Sequence, residues 1–249
     1  MATKQIKLRQ KQVIMHTNIT KYPAQHAGEY ITRILQQRAT EDILLLCSGG
    51  SALSILDHID TNIVTPMLTL GVVDERFTTE ESGNNFLQLS RKPLFEAIFE
   101  RGEGILSSQI MGRETFDQFY ERIKKALQGY FENHTQAHVI GIFGIGEDGH
   151  TAGIFPKTEN EFSKVYRIDQ IVVPVEDEKN LYPERISITP KCIEEHIDEV
   201  ILYAVGENKC NTVLTDMYNK NLHEHQIPAL IPAAHPKSIL FTDCTNIHV

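Results

Sequence analysis

Five short stretches of this chain bring ionisable side chains or glycines to the ends of apolar runs. The densest is Gly144-Ile-Gly-Glu-Asp-Gly-His-Thr151, which follows the apolar Val139-Ile-Gly-Ile-Phe143. Its glycines allow close backbone approach to a ligand, and Asp148 and His150 add a carboxylate and an imidazole that titrates near neutral pH. Such a loop can perform general acid–base chemistry on a small polar molecule. Gly71-Val-Val-Asp-Glu-Arg76 puts Asp74, Glu75 and Arg76 directly after a second apolar run, where neighbouring acid and base groups can orient one another and hold a substrate. Cys47-Ser-Gly-Gly-Ser-Ala-Leu53 reads as a strand–glycine–helix junction. There Ser48, Gly49, Gly50 and Ser51 could cradle an anion, the alternative being an ordinary turn with Ser51 as N-cap. Two single cations, Arg185 in Pro183-Glu-Arg-Ile-Ser-Ile-Thr189 and Lys209 in Gly206-Glu-Asn-Lys209, could close a phosphate pocket on that loop through one bidentate and one point-charge contact.

Several other chemistries are excluded by spacing. Gly144 to Gly149 formally reads GxGxxG, but a dinucleotide site needs a long helix next and an acid at the end of the following strand. Here Pro156 interrupts the chain, and Asp169 precedes the apolar Ile171-Val-Val instead of ending it. The Ser48–Ser51 loop lacks the GK[ST] of a P-loop and the GxSxG of a nucleophile elbow. The pairs His134/His138 and His223/His225 do not form HExxH and read as exposed surface histidines, with no metal site expected. Cys47, Cys192, Cys210 and Cys244 form no CxxC and read as buried thiols of a cytoplasmic protein.

These residues need a scaffold. Apolar runs at Ile43–Cys47, Met67–Val73, Ala137–Phe143, Val200–Val205 and Ser238–Phe241 read as strands, and Arg185-Ile-Ser-Ile-Thr189 alternates like one. Helical patterns follow from about Ser51 and about Glu207, and Phe116, Phe119, Ile123 and Leu127 mark a third before the strand at Ala137. This alternation implies βαβ units in a mostly parallel sheet covered on both faces, with ligands beyond the carboxyl ends of the strands. The 249 residues contain no repeat or long linker and read as one domain, 1–249. Lys157 to Pro183 is the least regular segment and reads as a lid-like excursion beside the site. With 23% charged and 41% hydrophobic residues the composition is that of a globular protein, and the net charge of -9 argues against a nucleic-acid surface. The basic start (Lys4, Lys7, Arg9, Lys11) lacks the apolar stretch of a signal peptide, and no apolar run is long enough to span a membrane.

The ordered set of motifs resembles the 6-phosphogluconolactonase family, which is related to the glucosamine-6-phosphate isomerase/deaminases. The resemblance is carried by Ser48-Gly-Gly-Ser51, Asp74-Glu-Arg76, Gly144-Ile-Gly-Glu-Asp-Gly-His-Thr151 with Phe155-Pro156, Arg185-Ile-Ser-Ile-Thr189, Gly206-Glu-Asn-Lys209 and Ile227-Pro-Ala-Leu-Ile231. It implies a three-layer α/β/α fold of modified Rossmann-like form. The implied activity is hydrolysis of 6-phosphoglucono-δ-lactone to 6-phosphogluconate, a step of the oxidative pentose phosphate pathway, without metal or cofactor. It implies His150 as the base that activates water, with Asp148 and Asp74 nearby and Arg76 on the substrate. Ser48, Gly49, Gly50, Ser51, Arg185 and Lys209 would take the phosphate. The expected partner is this small phosphosugar lactone, in a monomer or small homo-oligomer.

Two departures stand out. Phe77-Thr-Thr-Glu-Glu-Ser-Gly-Asn-Asn85 is shorter than the family's segment and lacks its Val-Pro, so no role passes to Ser82, Asn84 or Asn85. Gly153 replaces a Ser or other small residue and is expected to change little. The closest alternative is the deaminase/isomerase, which typically has Asp-Glu-Tyr for Asp74-Glu75-Arg76 and an acid soon after the His loop, where this chain reads Gly153-Ile-Phe-Pro156. A non-catalytic sugar-phosphate sensor is the third reading. Such regulators add a DNA-binding module, for which the residues before the first strand leave no room.

Overall fold

A computed structural model describes residues 2–8, 13–101, 104–178, 180–217 and 221–245, with side chains from residue 15 onward. Of the basic residues at the start, Arg9 and Lys11 lie outside the described residues, as do the side chains of Lys4 and Lys7. The strands are β1 (Ala2–Leu8), β2 (Val13–Ile19), β3 (Ile43–Cys47), β4 (Leu68–Val72), β5 (Asp74–Arg76), β6 (His138–Gly144), β7 (Val172–Glu176), β8 (Glu184–Ile188), β9 (Glu199–Ala204) and β10 (Ser238–Thr242). The helices are α1 (Pro23–Gln37), α2 (Asn85–Leu89), α3 (Pro93–Phe99), α4 (Phe116–Asn133), α5 (Glu159–Tyr166), α6 (Pro190–His196), α7 (Glu207–Asn211), α8 (Val213–Met217) and α9 (Leu230–Ala233).

The central sheet runs β1-β2-β10-β9-β6-β3-β4. Only the β1–β2 pair is antiparallel; every other neighbour pair is parallel. The expected α/β architecture with a mostly parallel sheet is therefore present. Strands β3, β6 and β9 are buried on both faces, as their continuous apolar runs require. Along β3, Leu44 and Leu46 join one core with Phe119 and Leu127 of α4, while Ile43, Leu45 and Cys47 join the other with Ile31 and Leu35 of α1. The period-2 alternation of a strand thus feeds two helical layers.

Local signals explain the helices that flank the sheet. Pro23 opens α1, where the missing N–H costs nothing, and Ala27, Ile31, Ile34 and Leu35 fall on one buried stripe. Thr115 caps α4 in a reciprocal box with Gln118, the first turn of a helix that buries Phe116, Phe119, Leu127 and Tyr130.

Three expectations need correction. The segment after Ser51 is a 3₁₀ helix (Gly50–His58) whose N-cap is Gly49 without a side-chain cap bond, so Ser51 does not cap it. Lys157 to Pro183 is not an irregular excursion. It holds α5, capped by a Thr158–Glu161 box, and β7, which pairs with β8 in a second, antiparallel sheet β5-β8-β7. Val172, Val173, Val175, Ile186 and Ile188 pack that sheet into the α4 core, which is what orders the segment. The four cysteines are not all thiols either. Cys47 and Cys192 are buried and free, with burial pushing both up to about 12, but Cys210 and Cys244 form a disulfide. Neither lies near the other in sequence, so only the return of β10 beside β9 brings them together.

This bond closes a loop across 34 positions and should stabilise the fold by roughly 3–4 kcal/mol through chain entropy. Thiol titration of the denatured, unreduced protein should therefore detect Cys47 and Cys192 alone, and reduction should lower the urea midpoint. Titration of all four cysteines without reductant would show that the bond does not form.

Candidate active site

β3 and β6 are parallel neighbours in the sheet, and the chain leaves their carboxyl ends for opposite sides, towards β4 and towards β9. Such a point of divergence opens a crevice. A cavity of about 200 Å³ occupies it, lined by Ser48 to Ser51, Asp74, Arg76, Gly144 to Gly146, His150, Ala152 and Lys209. Eight residues proposed from sequence therefore meet there, although they come from four separate stretches.

The first wall is the loop after β3. Ser48 is buried and its Oγ accepts the Gly144 N–H at 3.0 Å, joining the ends of β3 and β6. That hydroxyl still has a proton to donate. Gly49, Gly50 and Ser51 continue the wall into the 3₁₀ helix.

The second wall is the Gly144–Thr151 loop. His150 Nδ1 lies 2.6 Å from Asp148 Oδ1, and the His150 backbone N–H donates to the same oxygen at 3.1 Å. Burial raises the Asp148 carboxyl, but the hydrogen bond and charge of His150 outweigh it and hold the group below the usual carboxylate range. An ionised Asp148 can only accept, so Nδ1 carries the proton, and in the neutral ring Nε2 is the atom with the lone pair. Gly146 makes room for this ring: a Cβ there would lie 2.1 Å from His150 Nδ1. Gly149 takes φ +84° beneath Ile227, and its carbonyl accepts the Ala229 N–H at 3.0 Å. The Ile227–Ile231 segment thus supports the loop from behind. Phe155 packs on the other side of the imidazole, with ring centroids 5.0 Å apart.

Asp74 and Arg76 form the third wall, with Arg76 Nε 3.7 Å from Asp74 Oδ2 and an Arg76 Nη1 donating to the Gly83 carbonyl at 3.0 Å. Lys209 closes the fourth side from α7, next to the Cys210–Cys244 bond. Burial pulls its ammonium below the ordinary lysine range, against the raising charge of Glu147. Asn208 beside it donates to Glu147 at 3.3 Å, linking α7 to the His150 loop.

Two proposed residues stand outside the lining. Asp148 sits behind His150 as its hydrogen-bond partner. Arg185 is buried opposite Arg76 in the β5–β8 register, with its guanidinium 5.2 Å above the Phe155 ring and its Nε donating to the Tyr182 carbonyl. Burial lowers its pKa from the ordinary arginine value, and the Arg76 charge acts the same way. Sequence reasoning gave no separate role to Glu75 or Asn85, both fully buried: Glu75 is marked only by its place between Asp74 and Arg76, and Asn85 lies in the shortened loop that follows them. Gly153 matters more than expected: a Cβ there would lie 2.8 Å from Cβ of Ser187, whose hydroxyl accepts the Gly153 N–H at 3.0 Å.

The histidine pairs also differ from expectation in part. His138 is buried near Asp198 and Glu199, and His134 stacks on Tyr130 with centroids 4.4 Å apart. His223 and His225 stack in parallel beside a second cavity of about 320 Å³. Among the described residues, Cys210, Asp243 and Cys244 are the one group whose ligand atoms lie close enough for a metal, and there the two sulfurs are bonded to each other. No helix among the described residues is long and apolar enough to cross a membrane.

The chain is similar along most of its length to proteins of one kind. The human 6-phosphogluconolactonase is 24% identical over 228 residues, covering 85% of this chain and 84% of that protein. Among solved structures, the 6-phosphogluconolactonase from Plasmodium vivax superposes with a TM-score of 0.72 at 14% identity, covering 96% of this chain and 92% of that one. The one from Trypanosoma cruzi gives 0.71 at 18% identity, covering 96% of each. These structural likenesses establish the three-layer fold. Residues 17–240 match the model for glucosamine-6-phosphate isomerases/6-phosphogluconolactonase, and the chain belongs to that family.

Proposed function

We propose that this chain hydrolyses 6-phosphoglucono-δ-lactone to 6-phosphogluconate, with His150 as general base. The observation that carries the reading is the Asp148–His150 pair, whose Nε2 is left as an acceptor at a cavity shared with Arg76, Lys209 and the Ser48–Ser51 loop. In this mechanism Nε2 takes a proton from water as the water oxygen attacks the lactone carbonyl carbon. The negative charge moves to the carbonyl oxygen, where Arg76 or the glycine-loop N–H groups stabilise it. Collapse expels the ring oxygen, which takes the proton back from His150, and the gluconate chain opens. Asp148 keeps the imidazole in the required tautomer and balances its transient positive charge. At the far end Ser48 to Ser51 and Lys209 hold the phosphate, so that binding energy orients the reacting carbon, and Arg185 adds its positive charge from beside Arg76 outside the lining.

The deaminase/isomerase reading finds less support. After the His150 loop the chain places Ile154 and Phe155, both buried and apolar, where that chemistry calls for a carboxylate. A doubly charged phosphosugar does not cross a bilayer, so this reading places the protein in the compartment where its substrate is made.

His150→Ala should lower kcat by about 10²–10⁴-fold with little change in KM, the range for loss of a general base. Asp148→Asn should also lower kcat, because its amide can leave Nδ1 as the acceptor. Lactone consumption near pH 7, corrected for spontaneous hydrolysis, measures both, and a fully active His150→Ala would refute the mechanism. Lys209→Ala and Arg185→Ala should chiefly raise KM. An unchanged KM for Arg185→Ala would remove that residue from phosphate binding and leave it as support for Arg76. Ammonia release from glucosamine 6-phosphate should stay at background, and turnover there would favour the rival activity.

A further inference from the structure

Glu75 lies between two residues of the cavity wall yet faces away from the cavity. On β5 the side chains alternate, so Asp74 and Arg76 reach the cavity and Glu75 projects to the opposite side. It is completely buried, and four donors converge on its carboxylate. Oε1 accepts the N–H groups of Arg76 at 2.8 Å and Asn85 at 2.7 Å. Oε2 accepts the N–H of Phe86 at 2.7 Å and the Ser108 hydroxyl at 3.0 Å. Burial raises this carboxyl to about 7, against the lowering effect of its backbone donors.

Asn85 carries the same connection further. Its Nδ2 donates to the Asp74 carbonyl at 2.9 Å, so the backbone of both Asp74 and Arg76 is tied to the start of α2. Its Oδ1 is buried without a hydrogen-bond partner among the described residues. That oxygen packs against Gly49, where a Cβ would lie only 1.9 Å from it. An unmet buried acceptor is unfavourable, so its presence calls for an explanation. The explanation on offer is geometric: one side chain touches Gly49 of the loop after β3 and Asp74 of β5 at once.

We propose that Glu75 and Asn85 are positioning residues that set the spacing between the Ser48–Ser51 loop and the Asp74–Arg76 wall. This rests on the lactonase reading, in which the loop holds the phosphate and Arg76 faces the reacting carbonyl. A ligand that bridges both ends feels the spacing, whereas a ligand that occupies one end does not. Neither residue touches substrate.

The experiment compares wild type with Asn85→Ala and Glu75→Gln, using lactone turnover and competitive inhibition by 6-phosphogluconate and by inorganic phosphate. Gln retains the shape of Glu75 but replaces one acceptor oxygen with an NH₂ that cannot serve the Phe86 or Arg76 N–H. Both variants should lose roughly 10- to 100-fold in kcat/KM, as small misplacements at a reacting centre do. The inhibition constant for 6-phosphogluconate should rise in step, while that for inorganic phosphate stays within about twofold, since phosphate occupies the loop alone. Folded variants with full kcat/KM would overturn the proposal. Equal weakening of both inhibitors would also overturn it, since that is the signature of general disorder. Should either variant fail to fold, Ser108→Ala removes only one donor to Glu75 and is expected to shift the two inhibition constants in the same unequal way. An unaltered pair in that variant overturns the proposal as well. Wild type without lactone turnover would instead refute the functional reading, which the variant-to-wild-type comparison does not test.

Discussion

β3 and β6 lie side by side in parallel, with Leu46 opposite Gly141 and Cys47 opposite Ile142. Beyond that last pair the two chains must part, because one proceeds to the edge strand β4 and the other towards β9. The last backbone bond between the two is from the Ser48 N–H to the Ile142 carbonyl, at 2.9 Å. The Gly144 N–H instead finds Ser48 Oγ, and the loops fold outward around the space between them. The crevice is thus a consequence of topology, and the side chains that chemistry needs are placed on its rim by the strands that end there.

Around that opening the molecule couples firmness to reach. The His150 loop is rich in glycine, so it takes rigidity from Phe155, from the Ile227–Ile231 segment and from the Asp148–His150 hydrogen bond. The β5 wall is held from below, where Glu75 gathers three backbone N–H groups and a hydroxyl. Lys209 sits on a short helix with no buried residue, and the adjacent Cys210–Cys244 bond fastens that helix to the end of β10. Each functional side chain therefore reaches solvent from an anchored backbone, which preserves geometry without closing the cavity.

The second sheet shows how one element serves both core and site. β8 pairs with β5 and β7, putting Ile186 and Ile188 into the α4 core while Ser187 approaches Gly153. Its Arg185 lies opposite Arg76, so two like charges share a partly buried region beside Asp74. Desolvation and mutual repulsion both disfavour that arrangement, and an anionic ligand in the adjoining cavity would relieve the repulsion.

What could be read from the residues alone was whatever depends on near neighbours. Apolar runs marked β3, β4, β6, β9 and β10, because burial favours continuous hydrophobicity, and alternation marked β8. The glycine loops with Asp148, His150, Asp74 and Arg76 were visible because their local composition conflicts with simple turns. The regular structure of 157–183 was hidden, since β7 becomes a strand only by pairing with β8 and packing on α4. The Cys210–Cys244 bond depends on β10 returning beside β9, a placement that local spacing does not encode. Glu75 and Asn85 show the same limit most clearly. In sequence they are an acid in a charged turn and an amide in a shortened loop, and only the packing of α2 against β5 buries them together. Local chemistry follows from side chains and their immediate neighbours, whereas the meeting of distant walls follows from strand order, and strand order is a property of the assembled sheet.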